Sequence, residues 1–173
     1  MRQQNLLLGA LVLALLLLGG SAARAQSVTV KLGAGVGSGL EIGRGQSVGL
    51  RRSPIFVVVN GGLLFDNDQR FEVGAALLME LEGRVGVAVE PQGRLNLPAS
   101  GRVSGFAVLG VPLFLSPYTL YGVSIGGGVN LRLWQRFSAF VEAAFRYYPF
   151  GNDLPEGGNL FHLDGVLGVR HAF

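Results

Sequence analysis

Cysteine is absent from the 173-residue chain. This absence excludes a disulfide framework, thiolate metal sites and a cysteine nucleophile. It also excludes a lipid anchor on an N-terminal cysteine. An exported chain without disulfides needs another source of stability, and a closed, hydrogen-bonded sheet provides one.

Charged residues are also scarce. They make up 14% of the chain, against about 25% in an average soluble domain. This deficit suggests that much of the surface does not face water. The charges are nearly balanced, because 12 basic and 11 acidic residues, a net charge of +1, remain once Arg2 and Arg24 of the N-terminal segment are left out. Such a balance gives no basis for nucleic-acid binding.

Long apolar runs are missing after residue 25, although 49% of the chain is apolar. A membrane-spanning helix requires about 20 predominantly apolar residues in succession. If the rest of the chain crosses a membrane, it therefore crosses with strands.

The first 25 residues have the pattern of a secretory signal peptide. Arg2 supplies the positive charge, residues 6–18 form the apolar core, and Ala23 and Ala25 provide small residues before the cleavage site. We predict cleavage after Ala25. The alternative, an uncleaved anchor, is disfavoured because the apolar core falls short of the about 20 residues that span a bilayer.

Beyond the signal peptide the apolar residues recur with period two, which indicates half-buried strands. Residues 120–133 show this best: Tyr121, Val123 and Ile125 begin an apolar face, while glycines, Ser124 and an arginine occupy the other. We predict eight such strands. They are residues 28–37, 55–65, 70–81, 84–90, 102–115, 120–133, 137–148 and 160–173.

The two faces of these strands differ in charge. In this register the apolar faces carry no Asp, Glu, Lys or Arg, and the opposite faces carry five residues of each sign. These are Lys31, Glu72, Glu80, Glu90, Arg102, Arg132, Glu142, Arg146, Asp164 and Arg170. A charge facing lipid near the bilayer midplane would cost about 2–4 kcal/mol. The distribution therefore indicates apolar faces toward lipid and charges in a lumen.

Small residues accompany the charges on the polar faces. They are Gly33, Gly35, Gly37, Gly74, Ala76, Gly122, Gly126 and Gly128. A crowded lumen requires small residues, because the interior of an eight-stranded barrel is just wide enough for side chains. A secreted soluble barrel with the two faces exchanged is the alternative, and it predicts a water-soluble protein.

These observations predict an all-β fold: an eight-stranded antiparallel up-and-down transmembrane barrel over residues 26–173, preceded by a signal peptide over residues 1–25. Aromatic residues at the strand ends agree with girdles at two membrane interfaces. One group contains Phe65, Phe71, Trp134, Phe137 and Phe173, and the other contains Tyr118, Tyr121, Tyr147, Phe150 and Phe161.

The C-terminal residues Leu167, Val169, His171 and Phe173 alternate and end in an aromatic residue. This run resembles the terminal assembly signal of the small outer-membrane β-barrel superfamily, which includes the OmpX-, OmpA- and OmpW-like barrels. His171 departs mildly, since that position is more often tyrosine or aliphatic. Residues 126–148 are similar to a hairpin in many such barrels. The resemblance implies an outer-membrane location, lipid as surroundings, and recognition by the barrel-assembly machinery.

The resemblance also implies an orientation, with both termini in the periplasm. Turns at residues 66–69, 91–101 and 133–136 would then be periplasmic. The outer loops would be residues 38–53, 82–83, 116–119 and 151–159. The first of these loops is long and basic, with Arg44, Arg51 and Arg52, and contact with lipopolysaccharide phosphates is one hypothesis for it.

The lumenal charges are expected to pair, because a buried charge persists only with a partner. We predict Glu142 with Arg132 or Arg146, and Asp164 with Arg170 or Arg146. Wide aqueous channels belong to barrels of about 16–18 strands, so a conducting pore is disfavoured.

Catalysis and cofactor binding have little support in the sequence. His162 and Asp164 share a strand face and form a candidate acid–base pair, but no serine is convincingly placed beside them. The run over residues 33–39 fits no phosphate-binding motif, and no cluster has metal-ligand spacing. We predict neither cofactor nor metal.

The sequence thus favours a non-enzymatic outer-membrane barrel with a structural, envelope or surface-interaction role. The alternative is a binding or transport module that passes a small apolar molecule through a partly open lumen or a lateral gate, which the resemblance to OmpW-like barrels suggests. Apolar residues on the lumenal faces would line that route or simply pack. They are Phe56, Val58, Leu64, Phe106, Val108 and Phe140.

Overall fold

The structure is a computed structural model that describes residues 28–44, 49–65, 70–82, 85–98, 101–117, 119–152, 154 and 158–173. The predicted signal peptide and its cleavage site lie outside these residues, as do Tyr118 and the predicted turn at residues 66–69. Cleavage after Ala25 therefore stays a prediction. Among the described residues, no helix is long and apolar enough to cross a bilayer.

Ten strand segments account for most of the described residues. They are β1 (Thr29–Arg44), β2 (Gly49–Arg52), β3 (Phe56–Leu64), β4 (Phe71–Glu80), β5 (Val87–Asn96), β6 (Val103–Gly110), β7 (Leu113–Ser116), β8 (Leu120–Arg132), β9 (Phe137–Gly151) and β10 (Asn159–Ala172).

The ten segments form eight strands of a closed antiparallel barrel. Segments β2 and β3 both pair with β1, and β6 and β7 both pair with β5 and β8, so each of these two pairs makes one interrupted strand. The barrel closes where β10 pairs with β1 in an unbroken register from Lys31 opposite Ala172 to Arg44 opposite Asn159. The predicted eight-stranded fold is confirmed.

Both interruptions coincide with proline, which has no N–H to donate to a ladder. Pro54 lies between β2 and β3, and Pro112 lies between β6 and β7. Neighbouring hydrogen bonds hold the chain in place at each break: Ser53 N–H donates to the Gly39 carbonyl at 2.9 Å, and Gly122 N–H donates to the Pro112 carbonyl at 3.1 Å.

Two predicted boundaries were wrong. The first strand does not end at residue 37, because β1 continues to Arg44 and pairs with both β10 and β2. The predicted loop over residues 38–53 is therefore largely a hairpin extension. The predicted turn over residues 91–101 is also largely strand, because β5 continues through Pro91 to Asn96. Pro91 stays in the sheet with its carbonyl, which accepts from Val111 N–H at 3.0 Å.

The outer surface of the barrel is apolar. Among the described residues, 36 large apolar side chains are exposed, far beyond the scattered exposure of a soluble monomer. The charged side chains buried in the structure are Glu72, Glu80, Glu90, Arg94, Glu142, Arg146, Asp164 and Arg170. The alternative of a soluble barrel with exchanged faces is therefore wrong.

Glycines on the inward faces make room for the lumenal side chains. A Cβ at Gly110 would lie 2.6 Å from Glu90 Oε1 and 2.7 Å from Ser124 Oγ. A Cβ at Gly37 would lie 2.5 Å from the ring of Phe56. Larger residues at these positions would displace the groups that fill the lumen, so the glycine content follows from the narrow interior.

Candidate functional site

The lumen is the one region of the described structure that gathers polar and charged groups away from solvent. We call the end of the barrel that carries the turn over residues 133–136 and Phe173 the inner end. The opposite end, which carries the β1–β2 hairpin, is the outer end. Five of the eight buried charges belong to two clusters, one toward each end. Of the others, Arg94 pairs with Glu142, and Glu80 borders a small cavity that Asp164 also lines.

Arg146 on β9 organises the outer cluster. Its Nε donates to Glu90 Oε2 at 3.0 Å, and its Nη1 donates to Asp164 Oδ2. The remaining oxygens are also occupied: Ser124 Oγ donates to Glu90 Oε1 at 2.6 Å, and Ser53 Oγ donates to Asp164 Oδ1 at 3.2 Å. All five side chains are buried, so this network ties β5, β8, β9 and β10 to the break between β2 and β3.

Glu72 on β4 is the centre of the inner cluster. Its Oε2 lies 3.8 Å from Lys31 Nζ and 3.7 Å from Arg170 Nη1. Arg170 Nη2 also donates to Asn60 Oδ1 at 3.2 Å. One carboxylate thus serves two cations here, and the described residues of this inner group carry an excess positive charge.

Arg94 is a lumenal residue that sequence reasoning missed. Its Nη2 donates to Glu142 Oε2 at 2.8 Å, and its guanidinium stacks over the Phe106 ring at 4.0 Å from the centroid. It was missed because it lies in residues 91–101, which were predicted to be a turn on the expectation that Pro91 ends a strand. The period-two pattern from Glu90 through Gln92 to Arg94 is the signal that could have identified it.

The predicted partners were partly wrong. Asp164 does contact Arg146, one of its two predicted partners, but Glu142 contacts Arg94 and neither Arg132 nor Arg146. Arg102 and Arg132 are exposed at the inner mouth instead of buried in the network. Arg102 precedes β6, and Arg132 ends β8 and donates to the Gly101 carbonyl at 2.7 Å.

The candidate acid–base pair lacks the hydrogen bond it would need. Both oxygens of Asp164 are engaged by Arg146 and Ser53. The His162 ring instead meets Tyr148 edge to face at 5.3 Å between centroids. His162 Nε2 has no hydrogen-bond partner among the described residues, so the structure does not assemble a nucleophile, a base and an orienting carboxylate there.

The six lumenal apolar residues predicted to line a transport route or to pack are closely packed. Each is at most 6% exposed, and five of them belong to one cluster that also contains Tyr148, which is fully buried. This cluster and the ion pairs pack the outer and middle parts of the lumen: Phe56 lies 6.0 Å from the Arg146 guanidinium, and Phe140 lies 5.3 Å from that of Arg170. None of the six borders the large cavity at the inner mouth.

That open cavity has a volume of about 500 Å³. Its walls come from the inner ends of the strands, from Leu97, Pro98 and Arg102, and from the turn at residues 133–136. The charged residues that line it are all basic among those the structure describes: Lys31, Arg70, Arg102, Arg132, Arg136 and Arg170. The lumen is therefore plugged toward its outer end and open and positive toward its inner end.

A further ion pair holds the outer rim. Arg52 Nη2 donates to Glu82 Oε2 at 2.6 Å, and the Ile55 backbone N–H donates to the same oxygen at 3.0 Å. The hydrogen bond from Arg52, supported by that from Ile55, lowers the pKa of Glu82 below its usual value of 4.5. Glu82, which follows β4, is thereby linked to the end of β2 through Arg52 and to the start of β3 through Ile55.

The four residues of the terminal run lie on β10 or directly after it. Leu167, Val169 and Phe173 are exposed on the outer surface at 64%, 42% and 63%. The His171 ring packs against Phe173 with centroids 4.5 Å apart, and Phe173 N–H donates to the Val30 carbonyl at 2.9 Å. This arrangement places the run at the seam where β10 closes the barrel on β1.

No family model and no curated protein matches the chain. Solved structures do match it. Neisserial surface protein A superposes with a TM-score of 0.59 at 14% identity, over 84% of this chain and 97% of that one. The N-terminal β-barrel domain of Pseudomonas aeruginosa OprF gives a TM-score of 0.57 at 13% identity, again over 84% and 97%. The fold is that of the small outer-membrane β-barrels.

Ail, the attachment invasion locus protein of Yersinia pestis, shares the fold with a TM-score of 0.51 at 14% identity, over 84% of this chain and 98% of that one. The predicted resemblance to this superfamily is confirmed for the architecture. At such low sequence identity the similarity establishes the fold and not the function, since one fold hosts many functions.

Proposed function

We propose that the chain is an integral, non-enzymatic barrel of the outer membrane with a structural or surface-contact role. One observation carries this proposal. The barrel is closed, and on β3 to β10 the described outward-facing positions contain no Asp, Glu, Lys or Arg. Such a surface is stable in lipid, where a closed sheet satisfies its backbone groups internally.

Aromatic side chains support the same placement. Trp134, Phe137, His171 and Phe173 form a chain of ring contacts at the inner end, with centroids 4.5 to 6.3 Å apart. Near the outer end, Phe161 contacts both Phe145 and Tyr147. Aromatic groups at both rims suit the two interfaces of a bilayer.

Fractionation of cells that express the full-length chain tests the location. We expect recovery in the outer membrane after density-gradient separation, with extraction by detergent and resistance to alkaline or high-salt washes. Recovery as a soluble periplasmic protein would overturn the proposal.

We further propose that the barrel does not conduct. The ion-paired cluster around Arg146 packs with Phe56 and Tyr148 in the outer lumen, and Phe140 packs further in, below Arg170. Purified protein in planar bilayers should therefore be electrically silent. Reproducible single-channel openings would favour the alternative in which the lumen passes a small molecule.

The surface partners belong to the same proposal. The outer hairpin presents Arg51 and Arg52 as exposed residues, and guanidinium groups suit lipopolysaccharide phosphates. The terminal run is proposed to be read by the barrel-assembly machinery, because its residues lie together at the closing seam. Ail carries attachment in its name, and a surface-contact role for the present chain is proposed by analogy with it.

A further inference from the structure

The cavity at the inner mouth has an unusual charge. Six of its lining side chains are Lys or Arg, and none of its described lining residues is Asp or Glu. Like charges around one cavity repel each other, and a concave wall with one sign of charge attracts ions of the opposite sign.

The described residues neutralise only part of this positive charge. Lys31 and Arg170 share the single carboxylate of Glu72, at 3.8 and 3.7 Å. Arg132 uses its Nη2 to donate to the Gly101 carbonyl. The Arg102 and Arg136 side chains have no hydrogen-bond or ion-pair partner among the described residues, while Arg70 has a further interaction of its own.

Arg170, which lines the cavity, is itself incompletely compensated. Arg170 is only 4% exposed, yet its Nε and Nη1 have no hydrogen-bond partner among the described residues. A buried donor without a partner costs free energy. An anion in the cavity would stabilise this buried guanidinium through its charge, without a direct contact to either nitrogen.

We propose that this cavity binds phosphate groups, with a preference for two or more that are linked. Arginine donates paired hydrogen bonds to phosphate oxygens in a planar fork. Several guanidinium groups around one cavity of about 500 Å³ match an anion with several charges better than a monovalent one. The same chemistry occurs in a free oligophosphate and in the headgroup of an anionic phospholipid.

Calorimetry on the purified full barrel in zwitterionic detergent tests the proposal. One arm titrates inorganic tripolyphosphate, and the other titrates micelles of short-chain phosphatidylglycerol against phosphatidylcholine. The test variant is Arg102→Gln/Arg136→Gln. The matched control is Ser116→Asp/Asn152→Asp, which lowers the net charge by the same two units at exposed positions of the outer end.

We expect the parent and the control to bind tripolyphosphate, with binding weakened by added salt. The test variant should bind at least about tenfold more weakly, because two charge-assisted contacts are lost. Binding of phosphatidylglycerol alone, with the same loss in the test variant, would also support the phosphate site and identify the lipid headgroup as its source.

Two results would overturn the proposal. One is no binding in either arm by a parent protein whose strand content is intact by circular dichroism. The other is an equal loss of affinity in the test and control variants, which would mean that only overall charge matters. Neither result depends on whether the barrel conducts or where it resides.

Discussion

Arg146 is the cation on which two buried carboxylates depend. We expect Arg146→Met to leave Glu90 and Asp164 buried without a cation, which lowers the free energy of unfolding by about 3–5 kcal/mol. Urea unfolding in detergent, followed by tryptophan fluorescence, measures this loss. Arg136→Met at the exposed inner turn is the control and should change stability by less than about 0.5 kcal/mol.

A second variant separates the charges from the packing. Combining Arg146→Met with Glu90→Gln and Asp164→Asn removes all three charges together, so most of the lost stability should return. If Arg146→Met unfolded at the same urea concentration as the parent, the buried ion pairs would not stabilise the barrel.

Glu82 gives the outer rim a pH dependence whose sign is fixed by its lowered pKa. Because the folded-state pKa lies below the unfolded value, the stabilising contact is complete above about pH 4.5 and is lost as the pH falls through the lower folded pKa. The Ile55 amide proton, which donates to Glu82, should therefore titrate by NMR with a midpoint below 4.5.

The Arg52→Gln variant tests the cause of that shift. Without the guanidinium, the midpoint at Ile55 should rise toward 4.5, whereas Arg51→Gln should leave it unchanged. A parent midpoint at or above 4.5 would contradict the contact.

For individual residues, the sequence predicted well which side chains face the lumen, but it predicted less well which of those side chains contact each other. Period two placed Glu72, Glu142 and Asp164 on the polar face, where they are found. The partner of each depends on how far neighbouring strands are shifted along each other, and that shift is set by the closed sheet. Glu142 meets Arg94 across the lumen, a contact that no local spacing indicates.

Among the elements, β8 shows how backbone proximity limits the lumen. A Cβ on Gly128 would overlap the Val141 carbonyl oxygen of β9 and lie 2.8 Å from the Phe106 ring. We expect Gly128→Val to destabilise the barrel by about 1–3 kcal/mol or more, as overpacking does. Urea unfolding of the refolded protein measures the loss.

Gly93→Val is the matched control on β5, because a Cβ there meets nothing within 4 Å. This exposed, outward position should accept valine with little change or a small gain in stability, since valine favours strands. An equal loss of stability in the two variants would show that the narrow lumen is not the reason why Gly128 cannot be replaced.

The strand ends were the least predictable part of the elements. Residues 38–44 contain glycine and charge, which usually mark a loop, but the ladders to β10 and β2 continue through them. Pro91 similarly suggested an end, yet its outward position and its paired carbonyl keep β5 intact. In both cases the strand continues because it pairs with neighbouring strands, and most of these partner residues are distant in the sequence.

At the scale of the whole molecule, the alternation of apolar and polar faces was enough to predict eight strands and their closure. The excess of cations at the inner mouth was not predicted, because it arises from turns and strand ends that meet only in the closed barrel. The fold is shared with barrels that are at most 14% identical among those compared, so the role of this chain has to come from its lumen, its mouth and its rims.

Assembly is the whole-molecule property that the terminal run is proposed to control. We expect Phe173→Ala to lower the amount of folded barrel in the outer membrane several-fold, because the assembly machinery would lose an aromatic contact at the closing seam. Refolded in detergent, the same variant should keep its stability to within about 1 kcal/mol, since Phe173 is 63% exposed and exposed side chains contribute little.

Phe150→Ala is the control for that experiment, because Phe150 is equally aromatic, is 71% exposed and lies at the opposite end. We expect Phe173→Ala, but not Phe150→Ala, to give a poor yield in the membrane while refolding normally. That result would show that Phe173 acts in recognition by the assembly machinery and not in the stability of the folded barrel. If both variants reached the outer membrane at the level of the parent, the terminal run would not be an assembly signal. If Phe173→Ala failed to refold as well, the lost ring contact with His171 at the closing seam would explain the result as defective closure of the barrel.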